Sequence, residues 1–298
     1  QGIAAVATGR GRENVKVTLE TLRTMKKEKR PAVGVSCYTA PDAVIAAEAN
    51  VDFLVVGDSL AMTLLGHDST LPATMEVMQL FVSATRRGLD SLPDVAHIPI
   101  VVGDMPLGSY QPSDRDAIVN ACALIQAGAD LVKLEGCMVE RIRALADAGI
   151  GVVAHLGLQP QMKALVGGWR VQGKTVEEAK KLRDDVAAVI RAGAVIVLLE
   201  AVPSEVAAWI STAGSDTSVP IFGIGCGPRV DGQLLVMSDL IGEFRQFKSR
   251  FAKRFGNVGQ AKQDAVLAYV DATRAMSFPN SDTSYAMDPA ELRRLNSL

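Results

Sequence analysis

Six charged or titratable residues fall where short apolar runs stop: Asp58, Asp104, Lys133, Glu135, His155 and Glu200. Each follows or ends a stretch of Val, Ile, Leu or Ala, as in Gly57-Asp58-Ser59, Gly103-Asp104-Met105 and Leu199-Glu200-Ala201. One charged residue at a strand end is ordinarily the polar start of a loop. Five consecutive runs that each deliver one to the same rim must balance those charges with a cation or a substrate. Carboxylates with few imidazoles favour a hard ion such as Mg2+, which takes oxygen ligands and keeps waters. With only His67, His97 and His155 in the chain, a His-rich zinc site is excluded. A metal with open positions can chelate the carboxylate and keto oxygens of a 2-oxo acid and stabilise the enolate left by loss of a C3 proton. Glu200 is the natural proton acceptor, with neighbouring acids expected to raise its pKa, and Lys133 can neutralise the substrate carboxylate.

Such convergence requires elements that bring the run ends together. The apolar runs are 32–39, 53–58, 98–105, 130–136, 150–156, 194–201, 219–227 and 233–240. Most are continuous rather than alternating, the signature of parallel strands covered on both faces. Period 2 along 131–135 puts Lys133 and Glu135 on one side. Helical patterns separate the runs. Thr175-Val-Glu-Glu178 reads as a capping box, followed by an apolar stripe through Ala179, Leu182, Val186 and Val189, with Gly193 as the stop. Ser113 opens another helix that Gly128 ends. Helices are also expected over 17–27, 257–276 and 289–298. Eight strands alternating with helices predict an α/β fold, a single (β/α)8 TIM barrel with additional N- and C-terminal helices. Its active site lies at the C-terminal strand ends. An open doubly wound sheet shares the alternation and stays open as an alternative. Residues 1–14 read as a flexible leader and 15–298 as one barrel domain.

Bulk composition narrows the class. A chain of 298 residues, 48% hydrophobic with few aromatics, builds an aliphatic core large enough to need no disulfides, so its four scattered cysteines read as reduced thiols. A net charge of −2 offers no field for nucleic acid, and no apolar run is long enough for a membrane span. A cytoplasmic protein is expected, or a mitochondrial one if a transit peptide preceded Gln1. Two loops remain ambiguous. Gly66-His-Asp-Ser-Thr-Leu-Pro72 is a lid or a solvated loop. Gly223-Ile-Gly-Cys-Gly227 is a phosphate cradle or a tight turn.

Taken together and in order, several stretches form a specific pattern. They are Val56-Gly-Asp-Ser-Leu60, Gly66–Pro72, Arg86-Arg-Gly88, Asp104-Met-Pro106, Ala127–Gly136, His155-Leu-Gly-Leu-Gln-Pro160, Gly167–Gly173, Leu199-Glu200 with Val202-Pro203, and Gly223–Gly227 with Asp231-Gly-Gln233. On these the chain resembles the ketopantoate hydroxymethyltransferase family, within the phosphoenolpyruvate mutase/isocitrate lyase-like barrels. The resemblance implies transfer of a hydroxymethyl group from 5,10-methylenetetrahydrofolate to 3-methyl-2-oxobutanoate, giving 2-dehydropantoate. It implies that Asp58 and Asp104 bind Mg2+ with Glu135 beside the metal. It also implies that Ser59 and Lys133 hold the substrate, that His155 lines the pocket and that Glu200 is the base. Assembly into homo-oligomers, often decamers, is implied too. The sequence departs from the family pattern at Thr39 (an acid in the family), Leu107, the helix before Arg86, Lys174 and the stretch 245–251. Two further readings stay open. One is a divergent paralogue that uses the same metal enolate for another aldol-type or lyase reaction. The other is a catalytically silent barrel kept for binding or assembly.

Overall fold

The computed structural model describes residues 16–93, 97–164, 167–214, 217–243 and 249–298. The expected leader, 1–14, lies outside the described residues, as does 245–248 of the departing stretch. Eight parallel strands close on themselves: β1 Ala32–Ser36, β2 Phe53–Val56, β3 Ile100–Asp104, β4 Leu131–Glu135, β5 Val152–Gly157, β6 Ile196–Glu200, β7 Ile221–Ile224 and β8 Gly232–Val236. Strand order follows the chain, and β8 pairs with β1 through Ala32↔Gly232 to Ser36↔Val236. That pairing removes both sheet edges, so the architecture is the (β/α)8 barrel and the open-sheet alternative falls.

All eight strands are shorter than their apolar runs. Near the mouth the chain leaves the ladder to form loops and caps. The clearest case is the last run, whose second half is a short helix, Met237–Leu240. A brief apolar stretch does not by itself distinguish strand from helix.

Inward-facing residues fill the lower barrel. Phe53 and Phe222 stack with ring centroids 4.6 Å apart, packed among Val55, Val102, Ile196 and Leu198. A Cβ at Gly34 would lie 2.1 Å from the Phe53 ring, so the smallest residue faces the largest. The outer faces pack against the helical ring, where Val56, Val101, Leu134, Val152 and Leu199 are fully buried.

The helices carry their expected punctuation. Thr175 and Glu178 form a reciprocal capping box on Val176–Ala192, and Gly193 ends it at φ 111°. Ser113 caps Asp114–Gln126, and Gly128 follows at φ 113°. Thr39, at a position where the family pattern has an acid, caps Ala40–Glu48 by accepting the Asp42 N–H. Asp and Thr both serve as N-caps, so that role survives the substitution. Arg86 is structural: its guanidinium meets Asp130 at 2.7 Å and the Gly128 carbonyl at 2.8 Å. Gly88 permits a close crossing, since a Cβ there would lie 2.4 Å from the Ala40 carbonyl oxygen.

The C-terminal region differs from the rest. Helices Val258–Arg274 and Pro289–Leu295 contain no buried residue. Val266, Leu267 and Tyr269 are half or more exposed. Among the described residues, no helix is long and apolar enough to cross a membrane.

Candidate active site

Strand register assembles the cluster. Parallel pairing sets Asp104 beside Lys133, Glu135 beside His155, and Gly157 beside Glu200. Paired residues in a parallel ladder share a face, so Asp104, Lys133, Glu135 and His155 all enter the upper barrel. Each is at most 4% exposed, which is decisive for charged groups that ordinarily stay in water.

Lys133 is the hub. Its Nζ lies 2.8 Å from Asp104 Oδ1, 3.7 Å from Glu135 Oε1 and 3.4 Å from His155 Nδ1. Burial lowers its pKa, yet Asp104, Glu135 and Asp58 outweigh burial and drive it above the ordinary lysine value. His155 bridges two acids, with Nδ1 3.4 Å from Glu135 Oε1 and Nε2 3.1 Å from Glu200 Oε2. Burial and Lys133 push the imidazole down, but the two carboxylates prevail and raise it to about 9. The two carboxylates thus favour the protonated imidazole. Glu200 keeps some contact with the open mouth, and its immediate neighbour is this imidazole where the sequence reading expects other acids. Just past Glu200, Ala201 turns the chain at φ 49°, a left-handed conformation uncommon for alanine.

Asp58 comes from the loop after β2. Its backbone N–H donates to Asp104 Oδ2 at 2.9 Å. At the preceding Gly57 a Cβ would crowd Ser59 Oγ at 3.0 Å but would make only an ordinary contact with Asp104 Oδ2 at 3.7 Å. Burial, then the Asp104 charge, raises Asp58 well above the usual carboxylate range. Burial also raises Asp104, against the opposing pull of Lys133. Glu135 goes the other way. Burial raises it, but His155 and Lys133 hold it below its ordinary value. Ionisation is thus favoured at Glu135 and opposed at the two aspartates. Ser59 lies partly buried, with Oγ 2.8 Å from the Tyr38 hydroxyl.

The donor set fits a hard divalent ion. Two buried aspartates lie together, both raised by burial, and a cation between them would favour their ionised forms. Asp104 Oδ1 and Glu135 Oε1 lack a well-aligned hydrogen bond among the described residues, despite their nearby cations. No three His, Cys, Asp or Glu side chains among those residues form a ready-made cage. Asp58 and Asp104 are the two carboxylates that an ion completed by water and substrate oxygens would use.

Three residues escaped the sequence reading. Tyr110, fully buried, comes from the loop after β3, and Gln161 from the turn Pro160–Met162 after β5. Gln161 Nε2 donates to Asp58 Oδ2 at 2.9 Å, and its backbone N–H donates to Glu135 Oε2 at 3.0 Å. Tyr38 is the third. Its available signal was its place at the mouth end of the first run, and that of Gln161 was an amide directly after Pro160. The two ambiguous loops differ in packing. Residues 66–72 are mostly exposed, with Thr70 buried. In 223–227 the close approach is made by the chain's own side chains: a Cβ at Gly225 would meet Phe251 at 2.8 Å, and one at Gly227 would meet Ser204 Oγ at 2.1 Å. This is a packed turn.

Comparison with known proteins adds ancestry. A family profile described as "Ketopantoate hydroxymethyltransferase" matches residues 16–281. The 3-methyl-2-oxobutanoate hydroxymethyltransferase of Anaeromyxobacter sp. (strain Fw109-5) is 44% identical over 273 residues, spanning 91% of this chain and 88% of that protein. Its counterpart from Moorella thermoacetica is 41% identical over 273 residues, spanning 91% and 98%. Both are bacterial proteins and lend the mitochondrial alternative nothing. Among solved structures, phosphonopyruvate hydrolase in complex with oxalate and Mg++ aligns with a TM-score of 0.56 at 13% identity, covering 94% of each chain. A 2,3-dimethylmalate lyase, described as a PEP mutase/isocitrate lyase superfamily member, aligns with a TM-score of 0.53 at 16% identity over 94% of this chain and 95% of its own. At those identities the likeness is one of fold.

Proposed function

The chain belongs to the ketopantoate hydroxymethyltransferase family, and from that premise we propose that it transfers a hydroxymethyl group from 5,10-methylenetetrahydrofolate to 3-methyl-2-oxobutanoate. The product is 2-dehydropantoate. The supporting observation is the buried acid cluster with a charged lysine at its centre and a mouth-facing glutamate at its rim.

Asp58 and Asp104 would hold a divalent ion such as Mg2+, with Glu135 beside them. Bound there, the ion supplies Lewis acidity toward the oxygens of a 2-oxo acid. Lys133 pairs with the substrate carboxylate, exchanging part of its contact with Asp104 for it. Ser59, steadied by Tyr38, gives a hydroxyl to the same substrate. Glu200 accepts the C3 proton, and His155, held by Glu135 behind it, fixes the direction of that carboxylate. The resulting enolate carbon bonds to the methylene carbon of the folate as one of its two C–N bonds breaks, and water supplies the hydroxyl oxygen as the second breaks. Each electron pair passes to its nitrogen, which takes up one proton, one from C3 and one from water.

The test is product formation. Purified protein with Mg2+, 3-methyl-2-oxobutanoate and 5,10-methylenetetrahydrofolate should yield 2-dehydropantoate, read by mass spectrometry. Absence of product with C3 proton exchange retained would instead select the divergent paralogue. Absence of both, with no binding of Mg2+ or 2-oxo acid, would select the silent barrel. We also propose assembly with copies of itself, of decameric size by family resemblance. The exposed apolar residues of Val258–Arg274 support this.

A further inference from the structure

Gln161 makes four polar contacts, all with the cluster or its supports. Nε2 donates to Asp58 Oδ2 at 2.9 Å and to the Met105 carbonyl at 3.0 Å. Oε1 accepts from the Tyr110 hydroxyl at 2.7 Å, and the backbone N–H donates to Glu135 Oε2 at 3.0 Å. The side chain is 6% exposed, so each contact replaces water instead of supplementing it.

The direction of the amide is determined. A carbonyl only accepts, so the end facing Met105 O is the NH2 group. Tyr110 fixes the other end. Its oxygen receives the Glu135 N–H at 3.2 Å, and of the two acceptors in reach of its proton Gln161 Oε1, at 2.7 Å, is nearer than the Glu135 carbonyl at 3.3 Å. A reversed amide would set its oxygen against two acceptors, Met105 O and Asp58.

We propose that Gln161 is the positioning residue for Asp58 and that Tyr110 acts through it by locking the amide donor end toward the carboxylate. The inference rests on the reading of Asp58 as a cation ligand. A carboxylate that binds an ion through one oxygen needs the other held, and partners of this kind orient metal ligands. A neutral donor suits this place. Lys133 already brings a positive charge to Asp104, and a second cation at Asp58 would oppose the incoming ion. Gln161 holds Asp58 Oδ2 without adding charge, and its N–H to Glu135 ties two carboxylates to one turn.

The experiment is titration of the full-length protein with Mn2+ alone, following free Mn2+ by electron paramagnetic resonance, with thermal unfolding measured alongside. Wild type should bind and Asp58→Asn should lose binding. Gln161→Leu should weaken binding by about 10–100-fold in folded protein. Tyr110→Phe should weaken it several-fold, and should add nothing in the Gln161→Leu background if it acts through the amide. Wild-type affinity in Gln161→Leu, alongside lost binding in Asp58→Asn, overturns the inference while leaving the metal reading intact. Additive effects of the two substitutions overturn the role given to Tyr110. If Gln161→Leu does not fold, unchanged affinity in Tyr110→Phe overturns the relay. Binding unaffected by Asp58→Asn, or absent from wild type, overturns the metal reading and this inference with it.

Discussion

Glu200 and Lys133 are both charged strand-end residues, yet the structure gives them different surroundings. Lys133 is enclosed by three carboxylates and an imidazole, whereas Glu200 touches one imidazole and looks out of the barrel. That difference suits one for holding charge and the other for moving a proton. Glu200→Gln should reduce C3 proton exchange of 3-methyl-2-oxobutanoate by about 10²–10⁴-fold, the usual worth of a general base. Binding of the acid should change little, as followed by deuterium exchange and calorimetry. Full exchange in that variant would rule Glu200 out. Its candidacy, like that of Asp58, Asp104, Glu135 and His155, was legible because a charged residue closing an apolar run is conspicuous. Gln161 and Tyr110 were not, since a neutral amide and a phenol in loops leave no periodic trace. Their importance arises from burial and from partners 25 to 103 residues away in sequence.

At the scale of the element, apolar runs forecast all eight strands, and helix caps at Thr175, Ser113 and Gly193 did what their residue types dictate. Boundaries were less legible. Main-chain pairing, not side-chain hydrophobicity, ends a strand, so Cys37, Tyr38 and Thr39 are apolar or β-prone yet lie beyond β1. Barrel closure was expected from the count of eight runs, although the pairing that makes it, β8 against β1, spans the whole sequence. The Gly34–Phe53–Phe222 contact is part of that closure. Gly34→Ala should force the Phe53 ring off its stack and destabilise the protein by about 1–3 kcal/mol, the ordinary cost of overpacking. Urea unfolding measures it, and an unchanged midpoint would show that the ring yields freely.

For the molecule as a whole, the C-terminal helices stand apart from an otherwise well-buried chain. A helix of this length normally gains its stability from packing an apolar face. Val258–Arg274 has apolar side chains but no buried residue. If copies of the chain supply the missing cover, Val266→Asp with Leu267→Asp should lower the sedimenting mass in analytical ultracentrifugation while leaving the barrel folded by circular dichroism. Wild type sedimenting as a single chain would remove the assembly proposal.

The stacked rings at the bottom of the barrel carry one more implication. With Phe53 and Phe222 stacked among Val55, Val102, Ile196 and Leu198, the acid cluster stands above a plug of apolar side chains. Such a plug offers water and ions no polar partner, so it keeps a low-dielectric medium beneath the cluster, in which every charge–charge contact above it is strengthened.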